Sequence, residues 1–233
     1  MAIAPQTTLL GYGARYRPII GGIQKQTRIA WRLSTIGFAV RRPIPWWPDD
    51  LDYVITGHLG PSNTRTPVNT QIYQPTVASG NEVGRVAAVA SMNGFADVAR
   101  VAIDNWHVAP YIHIGGGHTV AVRAWGDPVE HQWVSKSGIA TGVTIGRVIR
   151  TGVPENNLAF GTLQNQVRVA FRMTPGDSGA PVYRHRNGWA EGVEILGILW
   201  GWAEDGAGNF LYSIFSPTSG VRAELPGWQP HTK

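Results

Sequence analysis

Apolar and polar side chains alternate along this chain in short runs, and Gly or Pro interrupts them roughly every ten residues. A period of two is what a half-buried strand needs, because successive side chains leave an extended backbone on opposite faces. The pattern predicts strands over residues 28–33, 37–41, 52–56, 85–91, 96–103, 118–124, 132–137, 143–151, 166–171, 181–183, 194–200 and 210–213. Many short strands with turn residues between them, and few long amphipathic stretches, predict an all-β sandwich or barrel. The clearest helical stretch is SPTSGVRAEL, residues 216–225. There Ser216 is placed to cap free amides, Pro217 suits the first helical position, and Pro226 with Gly227 ends it.

Residues 41–52 and 60–81, rich in Pro, Asn and Thr, read as long surface loops. Between residues 105 and 117 the sequence NWHVAPYIHIGGG breaks the strand pattern with a Pro and three glycines. That break divides the chain into two β units, residues 1–115 and 116–233.

At 233 residues the chain is long enough for a sizeable core in one all-β domain or two small ones. Twenty Lys and Arg against fifteen Asp and Glu give a net charge of +5, yet charged residues make up only 15% of the chain. The densest basic pair is Arg41 and Arg42, so no nucleic-acid partner is expected. Cysteine is absent, which excludes a disulfide framework and thiolate metal sites. His107, His113 and His118 are spaced by six and five, unlike the i, i+4 pair of a zinc-binding helix, and no metal or cofactor is expected. No window approaches the roughly 18 apolar residues of a membrane span. The first residues lack a charged segment followed by an apolar one, so the reading is a soluble chain with no membrane partner and no export signal in the sequence given. Most of the ten Trp are expected in the core, with Trp46 and Trp47, set between prolines, exposed.

The chemistry centres on FRMTPGDSGAPVY, residues 171–183, where Ser178 lies between two glycines and beside an acid. A serine in such a turn is a nucleophile or a tight corner. As a nucleophile it needs a base within hydrogen-bond reach, a third group to orient that base, and amides aimed at the developing oxyanion. Gly176 and Gly179 let the backbone bend so that the amides of Gly176 and Ser178 converge. Among the histidines His58 stands apart, because it follows the apolar strand DYVIT and lies between Gly57 and Gly60. Asp97 is the candidate orienting acid, with Asp50, Asp52 and Asp104 as rivals. The order His, Asp, Ser is one of the known triad orders, whereas an esterase elbow needs G-x-S-x-G and position 180 is Ala.

In these residues the chain resembles the chymotrypsin-fold serine peptidases, particularly the bacterial branch of streptogrisins and α-lytic protease. The family's V-T-A-G-H-C-G is matched by Val54-Ile55-Thr56-Gly57-His58-Leu59-Gly60, and its P-G-D-S-G-G-P by Pro175-Gly176-Asp177-Ser178-Gly179-Ala180-Pro181. Residues 32–40 resemble its C-S-x-G-F-x-V strands, and residues 134–146 its V-C-R-S-G-x-T-T-G-x-x-C-G. Ser34 and Leu59 then replace the two half-cystines of one family disulfide, and Ser135 and Ile145 those of another.

The resemblance implies two six-stranded antiparallel β-barrels with a short C-terminal helix and the active site between them. It implies Ser178 as nucleophile, His58 as general base and acid, Asp97 as the acid that fixes the imidazole, and the amides of Gly176 and Ser178 as oxyanion hole. Asp177 would be a strut paired with Lys136, where the branch has Arg. Arg172, Met173 and Thr174, with Trp200, Gly201 and Trp202, would line the substrate pocket. Trp200 and Trp202 stand where the family has small residues, which predicts a shallow or blocked pocket.

The implied activity is a serine endopeptidase acting on polypeptides through an acyl-enzyme, secreted in its mature form and monomeric, without metal or cofactor. The competing reading is a catalytically silent member of the fold that binds a protein or glycan partner through its Trp-rich surface.

Overall fold

In the computed structural model, which describes residues 11–29, 32–59, 64–103, 107–186 and 191–233, the alternating segments pair into two sheets. After β1 (Ile19–Gly21), the first sheet is made by β2 (Gln24–Thr27), β3 (Leu33–Thr35), β4 (Ala39–Arg42), β5 (Asp50–Ile55), β6 (Gln71–Tyr73), β7 (Glu82–Val89) and β8 (Ala99–Ala102). These pair antiparallel in the order β4-β5-β8-β7-β6-β2-β3. A hairpin of β9 (Val108–His113) and β10 (Thr119–Trp125) follows.

The second sheet holds β11 (Trp133–Gly138), β12 (Gly142–Asn157), β13 (Gly161–Val169), β14 (Pro181–His185), β15 (Val193–Glu204) and β16 (Phe210–Pro217). Pairing of β15 with β16 closes these strands into a ring of antiparallel neighbours. The β9–β10 hairpin is joined to this ring and to the N-terminal segment by parallel pairing, β10 with β15 and β9 with β1. The position between residues 115 and 116, where the sequence pattern breaks, lies in that hairpin's turn. Helix α1 (Thr218–Glu224) and β17 (Gln229–Pro230), which pairs with β4 of the first sheet, follow.

Three apolar clusters follow from the alternation. Ile20, Ile23, Tyr53, Ile55, Ile72 and Val101 fill the first unit, and Val134, Val148, Val169, Phe171, Val182 and Phe215 fill the second. The third joins the two units, with Phe38 and Val54 of the first packed with Ile198, Trp200 and Val221 of the second. Removing such side chains from water supplies about 25 cal/mol per Å² of apolar surface, so the third cluster holds the units against one another. Among the described residues no helix is long and apolar enough to cross a membrane.

Three expectations are corrected. Residues 28–33 are not one strand: β2 ends at Thr27 and β3 starts at Leu33. Residues 41–52 are not a free loop, because the β4–β5 ladder runs on to the Arg42 and Asp50 pair and two ion pairs, Arg41 with Asp49 and Arg42 with Asp50, lock its arms. Within residues 60–81, β6 adds a strand that pairs with β7. The helix begins one residue later than expected, at Thr218, with Pro217 as its N-cap and no side chain capping it. Ser216 belongs to β16, and its hydroxyl points into the site instead.

Candidate active site

Ser178 sits in the connection between β13 and β14. Two short turns shape it, with the Asp177 amide donating to the Thr174 carbonyl at 3.0 Å and the Ala180 amide to the Asp177 carbonyl at 2.8 Å. The turn is fastened to both units: the Gly179 amide donates to Leu199 of β15 (2.8 Å), and the Thr35 amide of β3 donates to the Ser178 carbonyl (3.0 Å). Thr35 adds its hydroxyl, which donates to the Gly176 carbonyl at 2.8 Å. Gly179 has φ +95°, and a Cβ there would strike the Thr35 carbonyl, so this crossing of β3 demands glycine. Gly176 is also in the positive half of φ, at 109°. Among the described residues the amides of Gly176 and Ser178 donate to no other backbone group.

His58 follows β5, in a turn held by Thr66. The Thr66 amide and hydroxyl donate to the Gly57 carbonyl at 2.7 and 2.8 Å, and the Leu59 amide donates back to the Thr66 hydroxyl at 3.0 Å. The imidazole is thereby aimed between two partners. Its Nε2 lies 3.2 Å from Ser178 Oγ, and its Nδ1 lies 2.5 Å from Asp97 Oδ2.

Asp97 precedes β8 and is fully buried. Its Oδ1 accepts from the amides of Gly57 (2.7 Å) and His58 (3.2 Å), while Asn157 Nδ2 donates to Oδ2 at 2.7 Å. Below it, the Asp97 amide donates to the Ser216 hydroxyl (3.1 Å), which donates to Gln166 Oε1 (2.8 Å). The rival acids are engaged elsewhere: Asp50 pairs with Arg42 and Asp52 with Arg100. Asp104 and Gly60 lie outside the described residues.

The second buried carboxylate is Asp177. Lys136 Nζ donates to its Oδ2 at 3.2 Å and the Thr141 hydroxyl at 2.6 Å, while the amides of Ala140 and Thr141 donate to Oδ1. Lys136 also donates to the Gly142 carbonyl (2.9 Å) and the Thr141 hydroxyl. Burial holds the Lys136 ammonium below the usual lysine range, and Asp177 draws it back up. Lys25, on β2, is buried with a different partner: its ammonium donates to Ser34 Oγ at 2.8 Å. Burial pushes it down to about 7.

A cleft of about 880 Å³ opens beside Ser178 and His58, with Gly176, Ile139, Leu158 and Trp202 among its walls. Trp200 and Gly201 line it as well. The Trp200 indole is buried and donates to Gln166 Oε1 at 2.9 Å, and Trp202, partly exposed, donates to Glu204 at 2.8 Å. Met173 is buried in the second unit's core, the Arg172 guanidinium lies over the Phe210 ring, and the Thr174 backbone serves the turn around Asp177.

Sequence reasoning overlooked Thr66, Asn157 and Gln166, read Ser216 as a helix cap and saw Thr35 only as part of residues 32–40. Thr35, Asn157, Ser216 and Gln166 act through contacts distant in sequence; the position of Thr66, a few residues after His58, offered a signal.

The architecture agrees with solved structures. Thermobifida fusca Protease A matches with a TM-score of 0.68 and 23% identity over 92% of this chain and 99% of that one. Cellulomonas bogoriensis chymotrypsin matches with a TM-score of 0.68 and 18% identity over 92% and 99%. Nocardiopsis protease matches with a TM-score of 0.66 and 18% identity over the same shares. No family model and no curated protein matches the chain. With near-complete coverage and low identity, what the chain shares with these bacterial proteins is the two-barrel chymotrypsin-like fold.

Proposed function

We propose that the chain is a serine endopeptidase. The observation that carries the reading is the unbroken line Asp97 Oδ2, His58 Nδ1, His58 Nε2, Ser178 Oγ, with steps of 2.5 and 3.2 Å, at the wall of the cleft. Three side chains separated by 39 and 120 residues along the chain meet there in the order of roles that nucleophilic catalysis needs. The names of the solved neighbours, proteases and a chymotrypsin, agree with it.

In this reading His58 Nε2 takes the Ser178 proton as Oγ bonds to the scissile carbonyl carbon. The resulting oxyanion accepts from the amides of Gly176 and Ser178. Asp97 fixes the tautomer with the proton on Nδ1 and stabilises the imidazolium that forms. His58 then gives its proton to the leaving amine as the C–N bond breaks, and a water molecule, deprotonated by the same imidazole, releases the acyl group from Ser178. Residues 1–115 supply base and acid, residues 116–233 supply the nucleophile, and the chemistry requires no metal or cofactor. The Lys136–Asp177 pair holds the oxyanion turn.

The test is covalent. A fluorophosphonate should leave one adduct on Ser178, seen by peptide mass spectrometry, and none on Ser178→Ala; a folded sample that takes up no adduct sinks the reading. One observation favours the second reading, a silent scaffold that binds a protein or glycan. Trp46 is fully exposed and Trp47 largely so at the tip of the β4–β5 hairpin. That reading gains if the chain resists the probe while Trp46→Ala with Trp47→Ala abolishes retention on a protein or glycan array.

A further inference from the structure

Asp97 is fully buried, and among the described residues its ion-pair partner is His58 alone. A buried carboxylate without a permanent cation must be held by hydrogen-bond donors. Two are backbone amides on Oδ1, from its own unit. On Oδ2, the oxygen that faces the imidazole, the second donor is Asn157 Nδ2 at 2.7 Å, which comes from the other unit.

The orientation of the Asn157 amide is fixed by its own turn. Its Oδ1 accepts from the backbone amides of Ala159 (2.8 Å) and Phe160 (3.2 Å), so the NH₂ group has only Asp97 to face. The turn itself, which joins β12 to β13, is anchored on the first unit. The Asn93 amide donates to the Phe160 carbonyl (2.7 Å), the Thr162 amide to Asn93 Oδ1 (3.0 Å), and the Gln164 amide to the Gly94 carbonyl (2.8 Å). The Phe160 ring lies against Gly57, at a spot where a Cβ would strike it. The charged groups near this turn include Asp97, His58 and Arg65, whose guanidinium lies 5.3 Å from the Phe160 ring centroid, Glu224, which accepts from the Ser91 and Phe95 amides, and the Glu155–Arg168 pair on the two strands that the turn joins.

We infer that Asn157 is a positioning residue for the His58–Asp97 pair, donating to the same carboxylate oxygen as the imidazole and so setting that oxygen's strength as an acceptor. The inference rests on the reading of Ser178 as nucleophile for its catalytic meaning, but its physical content does not. A carboxylate oxygen shared between two donors holds an imidazolium less strongly than one left to the imidazole alone. Taking Asn157 away therefore raises the proton affinity of His58.

The experiment is an NMR titration of the His58 imidazole in the full chain, alongside fluorophosphonate labelling rates across the same pH range. Asn157→Ala should raise the His58 pKa by about one unit and slow labelling by up to about tenfold on the acid side of the titration, where more of the base is protonated. Asn157→Asp keeps the acceptor for the Ala159 and Phe160 amides, so the turn persists, and its carboxyl, set 2.7 Å from Asp97 Oδ2, must keep a proton at neutral pH and donate as the amide did, so it should leave the His58 titration near that of the wild type. An unmoved His58 titration in folded Asn157→Ala overturns the inference, because a merely structural side chain would leave the imidazole unchanged, and so does an Asn157→Asp shift as large as that of Asn157→Ala. If Asn157→Ala shifts the titration while the wild-type protein never labels, the positioning role stands and the peptidase reading falls.

Discussion

Two carboxylates flank Ser178, and both are fully buried, yet their surroundings differ in kind. Asp177 faces a permanent ammonium, Lys136, together with a hydroxyl and backbone amides. Asp97 faces an imidazole, a side-chain amide and two backbone amides. The first charge is neutralised once and for all, which suits a strut. The second is stabilised by dipoles and left ready for a cation that exists only while His58 holds a proton. On the peptidase reading, then, burial alone does not mark a carboxylate as catalytic; the lifetime of its counter-charge does.

The sharpest way to break this contrast is Asp97→Asn. It should lower turnover about 10,000-fold through loss of the correct imidazole tautomer, with little change in urea stability. Equal losses of activity and stability would erase the distinction. Lys136→Met works the other way. It strands Asp177 without its cation and should cost about 3–5 kcal/mol in urea denaturation, with activity lost as the oxyanion turn loosens.

Lys25 extends the comparison to a buried ammonium with a hydroxyl instead of an acid. Its proton is bound less tightly in the folded than in the unfolded chain, so the unfolded chain holds more protons above pH 7. Stability should then rise from about pH 7 towards the lysine value of 10.5, at up to about 1.4 kcal/mol per pH unit. Burial raises the phenols of Tyr53 and Tyr183 above the ordinary tyrosine value of 10.0, so the unfolded chain ionises first and stability falls again beyond that pH. Lys25→Met should remove Lys25's share of the rise and stabilise the protein at pH 7, which urea melts at pH 7, 8 and 9 will show. The smallest effect belongs to Thr141→Val. It removes the hydroxyl between Lys136 and Asp177 and should cost about 1–2 kcal/mol by the same measurement, leaving the His58 titration untouched.

What the sequence revealed was what has local chemistry. Gly176, Ser178 and Gly179 announce a turn, the strand before His58 announces itself by its apolar run, and alternation located most strands. The failures share a cause. Ser216 looked like a cap because Ser before Pro is a local helix signal, but tertiary demand from Gln166 and the Asp97 amide claimed its hydroxyl. Arg172, Met173 and Thr174 were assigned to the pocket by the family resemblance, and the structure puts Met173 in the core and the Arg172 guanidinium over Phe210. Asn157 stood at the end of a strand with nothing to distinguish it, since its partner lies 60 residues away.

Thr35 closes the turn around Ser178 across a separation of 141 residues, and Asn157 reaches back the other way. Holding such distant parts of a chain together costs the loop entropy between them. On the peptidase reading, a chain half unfolded holds the nucleophile's turn without its clasp and the acid without its second donor, so proteolytic competence would require both long-range contacts to be in place, and a partly unfolded copy would be substrate but not protease.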